Sequence, residues 1–262
     1  MSGLIDIHSH VLPGVDDGPA ELEPSLDMLT AAADSGIATI AATPHLRSDF
    51  PDVHVHELSG RCDELRGHMA TRGIPIELVC GAEVSLVWAL EASDEELALA
   101  SYGQRGSDLL IETPQTSVTG LEWTLYSVRS RGYRITLAHP ERSPDFQDNP
   151  GRLATLAEQG VLLQVNADTL LGDPRRSRIC KFGRQLARDG LVHALASDGH
   201  RGGSWRPVTN LARAVEAAAA LVGPERARWM ATAVPAAVLA GEGLPPDPPI
   251  VAKRRRGPRR WR

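Results

Sequence analysis

The chain lacks the features that mark membrane and secreted proteins. Its 262 residues contain no apolar run near the roughly 20 residues that a membrane-spanning helix needs. Residues 3–7 read as a strand and not as the basic-then-apolar start of a signal sequence. Cys62, Cys80 and Cys180 have no paired spacing, which argues against a disulfide framework or a thiolate metal site and favours free structural thiols. We therefore expect a cytoplasmic protein.

The motifs of several common enzyme classes are also missing. A Cys-x5-Arg loop does not occur, so a phosphatase mechanism with a cysteine nucleophile has no candidate residue. Neither a Walker P-loop nor a Rossmann glycine fingerprint is found. The net charge is −5, but seven basic residues lie in 253–262, which leaves about −12 on the remainder. An acidic body argues against general nucleic-acid binding, which depends on basic surface.

Short apolar segments alternate with amphipathic ones along most of the chain. The predicted strands are residues 4–8, 38–42, 76–80, 108–111, 134–138, 161–165 and 193–197. The predicted helices between them are residues 22–35, 53–71, 119–131, 149–159 and 177–188, and the glycines at their C-caps are Gly36, Gly73, Gly132, Gly160 and Gly190. Such alternation is typical of βαβ units and a parallel sheet. About seven units in one chain predict an α/β barrel or distorted barrel.

The domain is expected to span residues 1–243, and residues 244–262 are expected to be a disordered linker and tail. Ala-rich helices at 209–221, 224–230 and 235–240 should pack outside the barrel. A Pro-rich stretch at 244–249 then leads to the basic residues of 253–262. Two interpretations of this tail remain open: a solvated segment, or a tether to an anionic membrane or an acidic partner.

Nearly every predicted strand is followed by a side chain that can bind a metal ion. These side chains are His8, His10, Asp16, Asp17, His45, Glu83, Glu112, His139, Glu141, Asp198 and His200. In a parallel barrel the carboxyl ends of the strands meet on one face, where active sites are built. Imidazole and carboxylate ligands without thiolates suit zinc, manganese or iron(II) at a catalytic site.

The number of candidate ligands exceeds what one metal ion needs. His8 and His10 point to the same side of an extended chain, as expected for two ligands of one ion. Two or three ions, with a carboxylate such as Glu83 bridging them, are therefore predicted. Such a cluster can bind a phosphoryl oxygen and lower the pKa of a bridging water, which is the chemistry of phosphoester hydrolysis.

Other polar residues near these motifs have competing interpretations. Asp16 can replace Asp17 as the ligand, whereas Asp6 is expected to orient a histidine from outside the ligand set. Glu141 is expected to pair with Arg142. Structural or solvated roles are predicted for His54, His56, His68 and His193. For Trp88, Trp123 and Trp205, lining a phenol-ring pocket and buried packing both remain open.

The motifs resemble those of the PHP (polymerase and histidinol phosphatase) family, in particular its bacterial CpsB/CapC-type branch of manganese-dependent protein-tyrosine phosphatases. The resemblance covers roughly residues 4–240. It rests on DIHSHVLPGVDDG at 6–18, ATPH at 42–45, GAE at 81–83, HPER at 139–142 and SDGH at 197–200. Histidinol phosphatases and polymerase-associated domains usually have His where Asp17 stands, so Asp17 favours the tyrosine-phosphatase branch.

The resemblance implies a distorted seven-stranded βα barrel with three divalent ions, most readily Mn²⁺, with Zn²⁺ or Fe²⁺ as alternatives. The implied ligands are His8, His10, Glu83 and Asp198 for one ion, Glu83, Glu112 and His139 for the second, and Asp17, His45 and His200 for the third. Arg142 and Arg206 match arginines that hold the substrate phosphate, with Arg201 as the alternative to Arg206. Asp198 or His200 is placed to assist departure of the phenolate, either by protonating it or through a metal ion that stabilises it.

The activity implied by the resemblance is hydrolysis of phosphotyrosine in a protein. The implied partner is a bacterial tyrosine kinase that controls capsule or exopolysaccharide synthesis. Because such kinases are attached to the membrane, the basic tail could hold the enzyme at its inner face. Two alternatives stay open: a small-molecule phosphatase acting, for instance, on histidinol phosphate, and a non-catalytic PHP binding module. The sequence makes no prediction about the oligomeric state.

Overall fold

The computed structural model describes residues 3–116, 120–200 and 206–251. Thr119, Arg201, Trp205 and the basic tail at 253–262, which carry sequence-based predictions, lie outside these ranges. Among the helices within them, none combines the length and the apolarity that crossing a bilayer requires.

The described residues form nine strands, and every paired strand runs parallel to its neighbour. The strands are β1 (Leu4–Ser9), β2 (Ile37–Ala42), β3 (His45–Leu46), β4 (Glu77–Cys80), β5 (Glu83–Val84), β6 (Asp108–Glu112), β7 (Arg134–Ala138), β8 (Leu162–Asn166) and β9 (Ala194–Ala196). One sheet has the order β1-β2-β4 and the other the order β3-β5-β6-β7-β8-β9. The predicted parallel α/β fold is thus confirmed.

The predicted distorted barrel of seven strands is not confirmed, because the described chain forms two sheets. Each of the seven predicted strands is present, and the two additional strands, β3 and β5, have two residues each. They arise where β2 and β4 are interrupted. Pro44, between β2 and β3, has no N–H for the ladder of hydrogen bonds, and its carbonyl accepts the N–H of Glu83 at 3.1 Å. The resumed chain then pairs in a different sheet.

Backbone contacts bring the end of the chain's last strand against its first strand. The N–H of Asp198 donates to the carbonyl of His8 at 2.9 Å, and the N–H of His10 donates to the carbonyl of Gly199 at 2.7 Å. Asp6 is buried and accepts the N–H of Ser197 at 3.0 Å. The residues that follow β9 therefore lie beside the residues that follow β1.

Twelve α-helices within the described residues surround the strands. They are α1 (Leu22–Asp34), α2 (Leu58–Arg72), α3 (Leu86–Glu91), α4 (Asp94–Ala100), α5 (Leu121–Ser130), α6 (Pro144–Asp148), α7 (Gly151–Glu158), α8 (Ala167–Leu171), α9 (Arg178–Arg188), α10 (Asn210–Val222), α11 (Pro224–Trp229) and α12 (Ala233–Ala240). Short 3-10 helices occur at Val55–Glu57, Tyr102–Gln104 and Pro140–Arg142. The predicted helices are all present, whereas α3, α4, α6 and α8 are too short to give a periodic pattern.

The core lies between strands and helices and includes strand residues such as Ile7, Ile40 and Leu137, all fully buried. Gly73 shows why glycine ends these helices: it has φ 72° at the C-cap of α2, and the following N–H returns to the carbonyl of Met69 at 3.0 Å. The other four glycines predicted at helix ends also have positive φ.

The Pro-rich segment after α12 contacts the body over the part that the structure describes. Arg226 donates to the carbonyl of Pro248 at 2.8 Å, and the N–H of Val251 donates to the carbonyl of Val222 at 3.1 Å. Residues 244–251 therefore extend along α10 and α11 without regular secondary structure.

Candidate metal centre

All nine predicted metal ligands belong to overlapping clusters at the carboxyl ends of the strands. In each cluster one potential ligand atom of every member lies within 4.8 Å of the others. The clusters are His10 with Asp17, His45 and His200; His8 with His10 and Asp198; His8 with Glu83 and His139; and His45 with Glu83 and Glu112. Asp17 and Glu112 are half-buried and the other seven are buried. Residues spread from position 8 to position 200 thus share one site.

The histidine pair at the end of β1 faces two buried carboxylates. The Nε2 atoms of His8 and His10 lie 3.3 Å apart. Oε2 of Glu83 lies 3.3 Å from Nε2 of His8, and Oδ1 of Asp198 lies 3.4 Å from the same atom. Neither carboxylate oxygen has a hydrogen-bond partner, although both are buried. Buried polar atoms are rarely left in this state, and a donor set of imidazoles and carboxylates around them fits a divalent metal ion.

Each of three histidines is held through its Nδ1 atom, which leaves Nε2 directed at the centre. Nδ1 of His8 lies 2.9 Å from Oε1 of Gln164, and Nδ1 of His200 lies 2.8 Å from the carbonyl of Asp198. Nδ1 of His10 lies 2.6 Å from Asp16. Because these partners accept hydrogen bonds, the proton resides on Nδ1 and the lone pair of Nε2 is available to a metal.

Asp16 lies outside every candidate cluster, whereas its neighbour Asp17 belongs to one. The Asp16 carboxylate contacts His10 and also accepts the backbone N–H groups of His45 and Gly18, each at 3.0 Å. Oδ1 of Asp17 lies 3.2 Å from Nε2 of His200 and 3.6 Å from Nε2 of His45. Of the two alternatives for this position, the geometry favours Asp17 as the ligand.

Glu83 lies at the junction of the clusters. Its Oε1 is 2.9 Å from Nε2 of His139, and its Oε2 is 3.0 Å from Nδ1 of His45. Burial opposes ionisation of Glu83, but the imidazoles of His8, His45 and His139 hold its pKa well below its usual range. A carboxylate that contacts several clusters through both oxygens has the position expected of a bridging ligand.

Electrostatics keep Asp198 ionised as well. Burial opposes ionisation of Asp198, yet the imidazoles of His8 and His10 and the guanidinium group of Arg206 hold its pKa well below the usual range. Burial also opposes the charged form of His8, but Glu83 and Asp198 outweigh it and raise the pKa of that imidazole. Ionised carboxylates are the form that binds metal ions.

Two of the nine candidate ligands have an uncommon backbone conformation. His139 has φ 37° and Asp198 has φ 51°, a region that residues other than glycine seldom adopt. His139 directly follows β7, and Asp198 lies two residues after the end of β9. The left-handed turn aims each side chain at the centre, which is the kind of local strain that accumulates at functional sites.

The two predicted phosphate-binding arginines both approach Asp198. Nη1 of Arg206 lies 2.6 Å from Oδ2 of Asp198, and Nη1 of Arg142 lies 3.9 Å from the same oxygen. Arg201, the alternative to Arg206, lies outside the described residues. Two guanidinium groups at the edge of a cluster of imidazoles and carboxylates provide fixed positive charge for an oxyanion.

Strand β8 contributes two amides that the sequence interpretation missed. Gln164 contacts His8, donates through Nε2 to Oδ1 of Asn166 at 2.9 Å, and is fully buried. Asn166 in turn donates to Oδ2 of Asp198. Their spacing of two residues places both side chains on one face of the strand. This spacing is visible in the sequence, but it is too common in strands to identify functional residues. Arg47, which donates to Glu112, was also missed.

Several predictions for neighbouring residues need correction. Oε1 of Glu141 accepts the N–H of Asn166 at 3.0 Å and the hydroxyl of Thr169 at 2.9 Å, in place of the expected pair with Arg142. Asp6 was expected to orient a histidine side chain, but its carboxylate binds the backbone N–H groups of His8 and Ser197, and burial raises its pKa to about 6.

The four remaining histidines, and the tryptophans that the structure describes, lie outside the candidate clusters. His54 and His56 are exposed, His68 is half-buried, and His193 accepts the N–H of Leu163 through Nδ1 at 3.1 Å. Trp123 is 64% exposed, which excludes buried packing for it, whereas Trp88 packs partly buried against the core. The three cysteines are free and buried, as expected.

Comparison with known proteins identifies one matching family and related tyrosine phosphatases. The family described as capsular polysaccharide synthesis, CpsB/CapC, matches residues 4–240. The tyrosine-protein phosphatase YwqE of Bacillus subtilis is 31% identical over 198 residues, which are 75% of this chain and 77% of that protein. The putative tyrosine-protein phosphatase CapC of Staphylococcus aureus is 28% identical over 198 residues, with the same two coverages.

A solved structure superposes on the whole domain. It comes from work on YwqE of Bacillus subtilis and CpsB of Streptococcus pneumoniae, described there as unique metal-dependent tyrosine phosphatases. The TM-score is 0.79 at 29% sequence identity, and the match covers 96% of this chain and 100% of the other. The strand arrangement described above is therefore shared over the full length of that relative.

Proposed function

The chain belongs to the capsular polysaccharide synthesis CpsB/CapC family, and from this premise we propose that it is a metal-dependent phosphatase that hydrolyses phosphotyrosine in proteins. The observation that carries the proposal is the convergence of nine imidazole and carboxylate side chains on one face of the parallel strands. The names of the relatives, tyrosine-protein phosphatases, support the same reaction. A non-catalytic binding module would be expected to lack some of the metal ligands, whereas all nine positions here carry residues that can bind a metal ion.

Three divalent ions account for the complete set of ligands. One would be held by His8, His10, Glu83 and Asp198, a second by Glu83, Glu112 and His139, and a third by Asp17, His45 and His200. Imidazole and carboxylate ligands suit Mn²⁺, with Zn²⁺ or Fe²⁺ as alternatives. When bound, such ions supply Lewis acidity and make hydroxide available at neutral pH for attack on phosphorus.

Arg142 and Arg206 bind the phosphate oxygens of the substrate. A guanidinium group stays protonated at neutral pH and offers paired N–H donors that match two oxygens. Both groups are half-buried beside the candidate ligand Asp198, so the phosphate is held next to the ligand cluster. Their charge also opposes the negative charge that grows on the phosphoryl oxygens during the reaction.

The leaving group places little demand on the protein. A tyrosine phenol has a pKa of about 10, so it departs more readily than an alkoxide. Asp198 and His200 are the groups placed to assist it, since Asp198 contacts Arg206 and His200 lies beside Asp17 at the more open side of the site. A dedicated strong acid is therefore unnecessary for a phenyl ester.

The proposed protein substrate is a bacterial tyrosine kinase of capsule or exopolysaccharide synthesis. This rests on the family's connection with capsular polysaccharide synthesis. The seven basic residues of 253–262 would place the enzyme near a membrane-attached partner at the cytoplasmic face, through attraction to anionic lipid.

A substrate panel with Mn²⁺ tests the function directly. We expect phosphotyrosine peptides to be turned over well above histidinol phosphate, since the latter has an alkyl leaving group. Chelator should remove the activity and added Mn²⁺ should restore it. His139→Ala should reduce turnover of an aryl phosphate to near background, whereas His56→Ala, an exposed histidine outside the clusters, should have no effect. Activity that survives both chelator and His139→Ala would exclude the proposed mechanism.

A further inference from the structure

Arg47 joins the rim of the site to one of the candidate metal ligands. It directly follows β3, and its Nη1 donates to Oε1 of Glu112 at 2.7 Å, while its Nε donates to Oδ1 of Asp49 at 2.7 Å. The side chain of Glu112 is only 11% exposed and that of Arg47 is 25% exposed. The ion pair is therefore partly shielded from water, unlike the surface pairs elsewhere on the protein.

Phe50 ties this ion pair to a second candidate ligand. The guanidinium carbon of Arg47 lies 5.2 Å from the centroid of the Phe50 ring, within the range of a cation–π interaction. The Phe50 ring is also stacked on the imidazole of His45, with centroids 5.2 Å apart and an angle of 6° between the planes. A continuous series of contacts thus runs from Glu112 through Arg47 and Phe50 to His45.

The two ends of this series belong to the same candidate cluster. His45, Glu83 and Glu112 offer ligand atoms within 4.8 Å of one another. Since Arg47 occupies Oε1 of Glu112, that carboxylate has its other oxygen left for a metal ion. Carboxylate ligands are commonly fixed in this way by a hydrogen bond from outside the ligand set, which sets their orientation.

The local charge gives a second reason for an arginine at this position. Glu83 and Glu112 are neighbouring carboxylates in one cluster, and the former is fully buried. Like charges at short range in a partly buried site repel, and a cation on the outer side of Glu112 offsets part of that repulsion. For both reasons we expect the contact between Arg47 and Glu112 to affect the site more than an exposed ion pair would, since exposed pairs contribute little to stability.

We propose that Arg47 is a positioning residue of the metal centre, which holds Glu112 as a one-oxygen ligand and steadies His45 through Phe50. The inference rests on the proposed function only through the presence of the metal ions and not through the reaction. Its consequence is that the ion bound by Glu112 loses affinity when Arg47 is replaced, whereas the ion held by His45 changes less, because the Phe50 ring remains stacked on that imidazole.

Calorimetric titration of the metal-stripped full-length chain with Mn²⁺ tests this inference. Arg47→Met should weaken one Mn²⁺ equivalent by about 10- to 100-fold, the usual effect of removing such a supporting contact. Arg47→Lys should lie between Arg47→Met and the parent, because it keeps the charge but not the planar fork. Arg61→Met is the matched control, since Arg61 on α2 forms a surface pair with Glu57 and belongs to none of the candidate clusters.

A double-mutant cycle separates positioning of Glu112 from general loosening of the fold. In the Glu112→Gln background, Arg47→Met should cause little further loss of Mn²⁺ affinity, because the contact that it removes is already weakened. Equal weakening in both backgrounds, or parent-like binding by Arg47→Met, would overturn the inference and leave the proposed function standing. A parent chain that binds no Mn²⁺ would overturn the proposed function and this inference together.

Discussion

Nδ1 of His10 lies 2.6 Å from Oδ2 of Asp16, and this contact decides which nitrogen of the imidazole faces the candidate metal centre. The carboxylate is itself held by the backbone N–H groups of His45 and Gly18. Burial opposes ionisation of Asp16, but His10 holds its pKa well below the usual range. An ionised, immobilised acceptor keeps the proton of His10 on Nδ1, so that Nε2 is free for a metal.

Asp16→Asn should therefore weaken Mn²⁺ binding by about 10- to 100-fold without unfolding the chain. The amide can turn its N–H₂ toward Nδ1, which favours the His10 tautomer with a proton on Nε2. Mn²⁺ titration followed by calorimetry measures the effect. Asp63→Asn, which alters an exposed pair with Arg66, serves as the control. Unchanged Mn²⁺ affinity in Asp16→Asn would show that the His10 tautomer does not depend on this carboxylate.

Arg142→Lys and Arg206→Lys should each lower kcat/KM for an aryl phosphate by about 10²- to 10³-fold, as loss of a donor to the transition-state charge does in other enzymes. Lysine retains the charge but cannot present two parallel N–H groups to phosphate. Mn²⁺ affinity should change little in Arg142→Lys, whose Nη1 lies 3.9 Å from Oδ2 of Asp198, whereas Arg206→Lys should also weaken it, because Arg206 contacts that candidate ligand at 2.6 Å. Arg213→Lys on α10 is the control, since Arg213 contacts Asn210 within the same helix. A loss of Mn²⁺ instead of turnover would assign these arginines to the metal centre.

His193 should make the stability of the protein depend on pH below neutrality. Burial lowers its pKa to about 4; Asp247 opposes this lowering and Arg226 adds to it. The unfolded chain takes up a proton near pH 6.5 but the folded chain only near pH 4, so stability falls as the pH falls through this window. The loss from this group reaches about 3 kcal/mol at its lower end.

His193→Asn isolates that contribution. Asparagine can accept the N–H of Leu163, as Nδ1 of His193 does at 3.1 Å, but it takes up no proton. The Tm difference between pH 7 and pH 4.5 should therefore be smaller in the variant than in the parent, measured in chelator so that metal release does not contribute. Equal Tm differences would mean that His193 is not the group that titrates.

Deletion of residues 253–262 should leave peptide turnover unchanged and reduce binding to vesicles that contain anionic lipid. Each basic residue near such a surface contributes about 1 kcal/mol, so removal of seven is a large change. Co-sedimentation with anionic and with neutral vesicles measures it, and high salt should mimic the deletion. If full-length and truncated chains sediment equally, the tail has another role.

The strand-end histidines and carboxylates could be predicted because their position depends only on where each strand stops. His8, Glu83 and Asp198 follow recognisable apolar runs, and the topology of parallel strands then brings them together. Arg47 could not be assigned in this way. Its partner Glu112 is 65 residues away and belongs to another strand, and that distance is closed only by the pairing of β3 with β5 and β5 with β6.

The sheet arrangement was less predictable than the elements themselves. Seven apolar runs indicate seven strands, but Pro44 interrupts the second run and the chain resumes as a separate two-residue strand. The left-handed backbone conformation of His139 and Asp198 could not be predicted from residue type, because neither residue is glycine. In both cases tertiary contacts decide the local conformation.

The hydrogen bond between Asp6 and Ser197 joins positions that are 191 residues apart. During synthesis the first strand leaves the ribosome long before its neighbour exists, so the ligands that flank these two strands cannot meet until almost the whole domain has emerged. Contacts at such sequence separation form late and slowly. Metal ions would then bind only when folding is nearly complete. An incomplete nascent chain would contain the early histidines without the later ligands that complete their site.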